Sequence, residues 1–239
     1  MIPLHVRHLT KRYGRLTALS DVSFSIRPGE VLGLIGPNGS GKTTLFECLA
    51  GVLPLDEGAV CEGDRTLAPG ERASTLFYLP DAIAPWPAQS VRWALAYAVG
   101  FFGGRADLHD EVVRRLDLTP ILDSAIGALS KGQRKRALLA MGLVTPQPLL
   151  LADEPFEGLD LRQTREVAAA LREHASGNRT LFLSIHQISD AARICDRFIL
   201  LSGGRVRGEG TLKELSAIAA TRGAGNRRDD LEEVFLALT

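Results

Sequence analysis

Apolar residues along this chain gather into short runs separated by turn-forming residues. Val22–Ile26, Val31–Ile35, Leu76–Leu79, Leu149–Ala152, Thr180–Ile185 and Phe198–Leu201 are rich in leucine and β-branched residues, and each reads as a strand. Several are apolar at nearly every position, the pattern of strands covered on both faces. Helix-length patterns follow many of them, at Lys42–Ala50, Leu161–His174 and Ile188–Cys195. Strands alternating with helices predict an α/β fold around a mainly parallel sheet.

One stretch breaks the alternation. From Ser90 to about Thr145 only helical patterns occur, entered through the proline-rich turn Pro80-Asp81-Ala82-Ile83-Ala84-Pro85-Trp86-Pro87. This stretch, about residues 82–145, reads as a helical subdomain inserted into the sheet domain. Its most apolar part, Trp93 to Phe102, falls short of the ~20 residues that span a bilayer and reads as a buried helix. Further on, Arg222–Asp230 is polar and contains glycine, as a flexible linker does. It leads into Leu231–Leu238, where Leu231, Val234, Phe235 and Leu238 share one helical face. The expected division is a main domain over 1–221, then a linker and C-terminal helix over 222–239.

Composition narrows the function classes. A chain of 239 residues is long enough to bury its own core. Its 28 basic and 28 acidic side chains cancel, which argues against a nucleic-acid binder working by bulk charge. Cys48, Cys61 and Cys195 are odd in number, far apart and not in metal-ligand spacing, so they read as structural thiols of a reducing compartment. The N-terminal segment carries no apolar signal stretch. Together these features predict a cytoplasmic protein, soluble by itself.

The chemistry begins at Gly36-Pro37-Asn38-Gly39-Ser40-Gly41-Lys42-Thr43-Thr44, which satisfies G-x-x-x-x-G-K-[ST] in full. An apolar strand runs into it and a helix leaves from Lys42. Glycines let successive backbone N–H groups turn inward around phosphates, and the helix N-terminus adds partial positive charge there. Lys42 is the candidate for the β- and γ-phosphates, and the Thr43 hydroxyl for Mg²⁺. A second strand, Leu149–Ala152, ends in two carboxylates. Asp153 suits a Mg²⁺-associated role, and Glu154 suits a general base that polarises the attacking water.

A third segment, Leu129-Ser130-Lys131-Gly132-Gln133, opens a helix. Ser130 and Gln133 have the spacing of a capping box. Capping does not explain Gly132, which costs up to ~1 kcal/mol relative to alanine inside a helix. A small residue at a helix N-terminus would let a phosphate approach closely.

Taken together, the phosphate loop, the LSKGQ segment, the strand ending Asp153-Glu154 and their order resemble the nucleotide-binding subunit of an ABC (ATP-binding cassette) transporter. Gly158-Leu159-Asp160 is similar to the loop that links the two active sites in that family. His186 follows the Thr180–Ile185 strand as the family's histidine does, and Tyr13 stands where the family stacks an aromatic on adenine. The resemblance implies a P-loop NTPase of ABC type, with a mainly parallel core, an antiparallel N-terminal β region and the inserted helical subdomain. It implies ATP and Mg²⁺ as cofactors, and head-to-tail pairing with a second copy or a homologous ATPase subunit.

In such a pair, ATP lies between the phosphate loop of one copy and Ser130, Lys131, Gly132, Gln133 and Asp160 of the other. His186 would sense the γ-phosphate, and Glu154, His186 and Lys42 would carry catalysis. The implied partner is an integral membrane permease, which would keep the chain on the inner face of the cell membrane. Nucleic acid is not implied as a partner.

Three details refine the resemblance. The family usually has glutamine where this chain has Asp81, whose oxygen could still approach Mg²⁺ or the attacking water. Lys131 replaces the commoner second glycine of the signature, its charge facing solvent or phosphate. The end, Asp230–Thr239, is similar to the tail of ATPases serving bacterial exporters with separate membrane subunits. Two alternatives stand beside a transporter ATPase: a soluble ABC ATPase in cofactor assembly of the iron–sulfur type, and a nucleotide-gated binding module with little turnover.

Overall fold

The computed structural model describes residues 2–81, 83–104, 106–177, 179–221 and 230–239. Strands β1 (Leu4–Tyr13), β2 (Leu16–Ile26), β3 (Val31–Ile35), β4 (Glu57–Glu62), β5 (Arg65–Thr66), β6 (Leu76–Leu79), β7 (Leu149–Asp153), β8 (Thr180–Ser184), β9 (Arg197–Ser202) and β10 (Arg205–Gly210) form two sheets. One is antiparallel, in the order β2-β1-β4-β5. The other runs β10-β9-β3-β8-β7-β6 and is parallel except for the β9–β10 hairpin. Every strand expected from the sequence is present, and β2 begins six residues earlier than its apolar run, at Leu16.

Side-chain alternation divides the large sheet's core between two faces. Val31 and Ile35, Leu150 and Ala152, Leu181 and Leu183, and Phe198 and Leu200 point to one side. Leu32 and Leu34, Leu149 and Leu151, Phe182, and Ile199 and Leu201 point to the other. The first side packs with the helical stretch, the second with the helix after β3 and with the antiparallel sheet. Burial on both faces is why these strands carry almost no polar residue.

The helices are α1 (Lys42–Ala50), α2 (Arg72–Thr75), α3 (Val91–Phe102), α4 (Ala106–Arg115), α5 (Lys131–Val144), α6 (Leu161–Ser176), α7 (Ile188–Ile194), α8 (Leu212–Thr221) and α9 (Leu231–Leu238). Between β6 and β7 the regular elements are helical, as expected, with α5 lying against α3 and α4 on one side and β6 and β7 on the other. Helix α3 corrects the expectation of a buried helix. Val91, Ala94, Leu95 and Ala98 face the core, whereas Trp93 and Phe101 are 39% and 67% exposed. The exposed side is an aromatic row: Trp93 stacks on Tyr97, Tyr97 stacks on Phe101, and Trp86 packs edge-on against Trp93 and Tyr97.

Helix α9 buries Leu231, Val234 and Leu238 against α7 and α8. Of the expected linker Arg222–Asp230, residues 222–229 lie outside the described residues, as does Ala82 of the proline-rich turn, and Asp230 caps α9 by accepting from the Glu232 N–H. Among the described residues, no helix is long and apolar enough to cross a membrane.

Candidate active site

Strand β3 lies between β8 and β9, so it delivers the loop Gly36–Thr44 to the middle of the sheet's C-terminal edge. Ligands of open α/β sheets bind in the crevice at that edge. Gly36 has no alternative there: a Cβ would lie 2.3 Å from the Leu201 carbonyl oxygen and 2.6 Å from Ser40 Oγ. Helix α1 then starts at Lys42 without a side-chain cap, leaving its first N–H groups available to an anion.

The Lys42 ammonium is buried and donates to the carbonyls of Gly36, at 2.8 Å, and Pro37, at 3.2 Å. Burial pushes its pKa below the ordinary lysine value, against the opposing pull of Glu154 and Asp153. Ser40 Oγ is buried and finds no hydrogen-bond partner among the described residues. A buried ammonium without a paired carboxylate in hydrogen-bond contact among the described residues, an orphaned hydroxyl and an uncapped helix start are what a phosphate chain would satisfy, so these residues fit a nucleotide.

Strand register assembles the acidic part. Ser184 at the end of β8 pairs with Leu34 on one side and Asp153 on the other. The Ser184 hydroxyl donates to Asp153 Oδ1 and accepts from the Glu154 N–H at 2.9 Å. The Thr43 hydroxyl donates to Asp153 Oδ2 at 2.8 Å. Thr43 and Asp153 therefore present adjacent hard oxygen donors, the ligand type Mg²⁺ takes. Ser184 was not singled out by sequence reasoning, although it is the polar residue ending an apolar strand two positions before His186.

Glu154 adopts φ +48°, a left-handed conformation uncommon for a non-glycine residue and shared in this chain by His8, Asp21, Trp86 and Asp117. Its carboxyl pKa is raised, first by desolvation; Lys42 opposes the rise, while Glu157, Asp153 and Asp81 add to it. Glu154, His186 and Asn38 line one cleft of about 520 Å³, bounded also by the Phe156–Leu159 loop. Tyr13, the last residue of β1, is 46% exposed with Lys11 Nζ 5.6 Å from its ring centroid, leaving ring surface for an adenine.

Ser130, Lys131, Gly132 and Gln133 do not line that cleft. Ser130 and Gln133 form the expected capping box at the start of α5. Gly132 has a reason within the chain that the sequence did not disclose: a Cβ would sit 2.9 Å from the Gly158 carbonyl oxygen and 3.2 Å from Gln163 Oε1. Asp160 caps α6, accepting from the Gln163 N–H at 2.8 Å. The charge of Lys131 lies on the solvent side, where its Nζ meets Glu157 at 2.5 Å. Asp81 is paired with Lys135 at 2.5 Å, and its carboxylate, that of Glu154 and that of Glu157 offer oxygens within 4.8 Å of one another. Lys135 and Glu157 carry no local sequence signal, because both acquire meaning only through distant partners.

The thiols have the structural character expected. All three cysteines are free, and burial pushes Cys48 up to about 11 and Cys195 higher still.

Comparison with known proteins agrees with this geometry. The family described as ABC transporter matches residues 19–157. The hemin import ATP-binding protein of Thermobifida fusca (strain YX) is 32% identical, over 90% of this chain and 78% of that relative. Nod factor export ATP-binding protein I of Burkholderia orbicola (strain AU 1054) is 31% identical, over 87% of this chain and 70% of that protein. A solved ATP-binding subunit of an ABC transporter superposes with a TM-score of 0.86 at 28% identity, covering 98% of each chain.

Proposed function

The chain belongs to the ABC transporter family as an ATP-binding, ATP-hydrolysing subunit, and on that premise we propose how its residues divide the work. The loop Gly36–Thr44 holds the triphosphate, with Lys42 on the β- and γ-phosphates and Tyr13 against adenine. Thr43 and Asp153 would hold Mg²⁺, which would supply charge neutralisation to the bound triphosphate. Glu154 orients and deprotonates the attacking water, and His186, which lines the same cleft, contacts the γ-phosphate. The observation that supports this reading is the chain of contacts Thr43–Asp153–Ser184–Glu154, in which the Thr43 and Asp153 oxygens lie together and the backbone N–H of Glu154 is tied to the same serine hydroxyl.

The site is completed by a second copy or a homologous ATPase subunit. Ser130, Lys131, Gly132 and Gln133 lie outside the cleft, and in a head-to-tail pair their helix N-terminus would face the partner's γ-phosphate. Asp160, at the start of α6, would join the same interface. Binding of two ATP molecules closes the pair, and hydrolysis reopens it.

The coupled machine is a membrane permease. The exposed aromatic row Trp86, Trp93, Tyr97 and Phe101 supports a docking surface for its cytoplasmic helices, since exposed contiguous aromatics mark interaction sites. The ending Asp230–Thr239 supports export; the relatives serve both import and export. The test of the core reading is Glu154→Gln. The variant should bind ATP normally, turn over at least ~100-fold more slowly, and accumulate as an ATP-bound pair in light scattering. Unchanged turnover would sink the assignment.

A further inference from the structure

Helix α5 brings two lysines, one helical turn apart and on one face, to the acidic side of the site. Lys131 pairs with Glu157 and Lys135 with Asp81. The two acids come from different loops, one after β6 and one after β7, and both stand next to Glu154.

The pairs differ in weight. Lys131 and Glu157 are 52% and 40% exposed at their side chains, where water screens the attraction. The Lys135 side chain is only 7% exposed and Asp81 is 29% exposed. Attraction in that setting is much less screened, and lysine is almost never buried without a paired charge. A triphosphate at Gly36–Thr44 would bring further negative charge towards three carboxylates that already crowd one another.

We propose that Lys135 is a positioning residue for the hydrolytic reaction: it neutralises Asp81 and holds that carboxylate against α5, at the edge of the cavity that Asp81 shares with Thr43 and Asp153. It acts through Asp81 and touches neither nucleotide nor water. The pair also ties the turn after β6 to α5, the helix capped by Ser130. The inference rests on the assignment of the phosphate loop and Glu154 made above.

Binding of MgATP to the full chain, measured by calorimetry, and single-turnover hydrolysis provide the test. Lys135→Gln should weaken MgATP binding and slow hydrolysis, each by about tenfold, as expected for loss of one nearby compensating charge. Adding Asp81→Asn to that variant should restore both to within about threefold of the parent, since no carboxylate then needs holding. Lys135→Arg, which keeps the charge, should stay close to the parent.

Parental binding and turnover in Lys135→Gln would overturn the proposal. So would a double variant no better than Lys135→Gln, the result expected if the lysine served packing alone. If Lys135→Gln does not fold, the double variant decides, because the proposal requires it to fold and bind. Lys42→Ala and Glu154→Gln report separately on the underlying assignment. If neither alters binding or turnover, that assignment falls whatever the Lys135 series shows.

Discussion

Thr43 and Asp153, 110 positions apart in sequence, are joined by a 2.8 Å hydrogen bond from the threonine hydroxyl to Asp153 Oδ2. The same two oxygens are the proposed Mg²⁺ ligands, so the hydrogen bond holds the donor pair together at the spacing a shared cation can bridge. Thr43→Ala should therefore remove most of the advantage of MgATP over metal-free ATP, by about tenfold in affinity. Binding of ATP in EDTA should change much less. Calorimetry with and without Mg²⁺ checks this, and an intact Mg²⁺ preference would remove Thr43 from the site.

The pH dependence of hydrolysis follows from two opposed shifts. A base must be ionised, and Glu154 has a pKa raised above its ordinary 4.5, so turnover should fall as pH drops through that raised value. Lys42 must keep its proton to attract phosphate, and its pKa lies below the ordinary 10.5, so activity should also fall earlier on the alkaline side. The profile of kcat/KM should be a bell narrowed from both ends. An acid limb centred at or below 4.5 would contradict the environment described for Glu154.

Pairing across two copies can be tested without disturbing the fold of either. Gly132 is a poor target, because any Cβ there meets the Gly158 carbonyl of its own chain. Ser130→Asp keeps an N-capping oxygen while placing a negative charge where the partner's γ-phosphate would lie. Each of Ser130→Asp and Lys42→Ala should pair poorly with itself in ATP. A mixture of the two should recover one intact site and thus ATP-dependent pairing, read by sedimentation. Equal failure of the mixture and of the separate variants would argue against a shared site.

The aromatic row makes a separate prediction. Trp93→Glu combined with Phe101→Glu alters side chains that are 39% and 67% exposed, so the fold and MgATP affinity should be retained. Recovery of a multi-span membrane protein with the tagged chain from native membranes should drop severalfold, as when an exposed hot-spot patch is removed. Undiminished recovery would place the docking surface elsewhere.

What the sequence disclosed, and what it did not, follows the range over which each feature is encoded. The buried strands and the phosphate loop were legible because contiguous residues specify them. Strand β1 was not: its burial does not alternate cleanly, its register with β2 shifts between Val6 and Leu9, and His8 lies at φ +52°. Helix α3 was placed but misjudged, since the aromatic residues facing water are as apolar as Val91 and Leu95 facing the core. Within the site, Lys42, Thr43, Asp153 and Glu154 came from local patterns. Ser184, and the partners Lys131–Glu157 and Lys135–Asp81, required the register and the packing of α5. Gly132 is the instructive middle case, flagged by its cost in a helix and explained by a carbonyl 26 positions along.

The seating of α9 on α7 has an experimental use. Helix α7 begins two residues after His186, and α9 packs on it while leaving Leu236 68% exposed. A fluorophore at Leu236 would sit on the solvent-facing side of α9 without replacing a core side chain. Because α9 contacts the helix that follows His186, the label's emission offers a way to follow whether that segment responds to ATP.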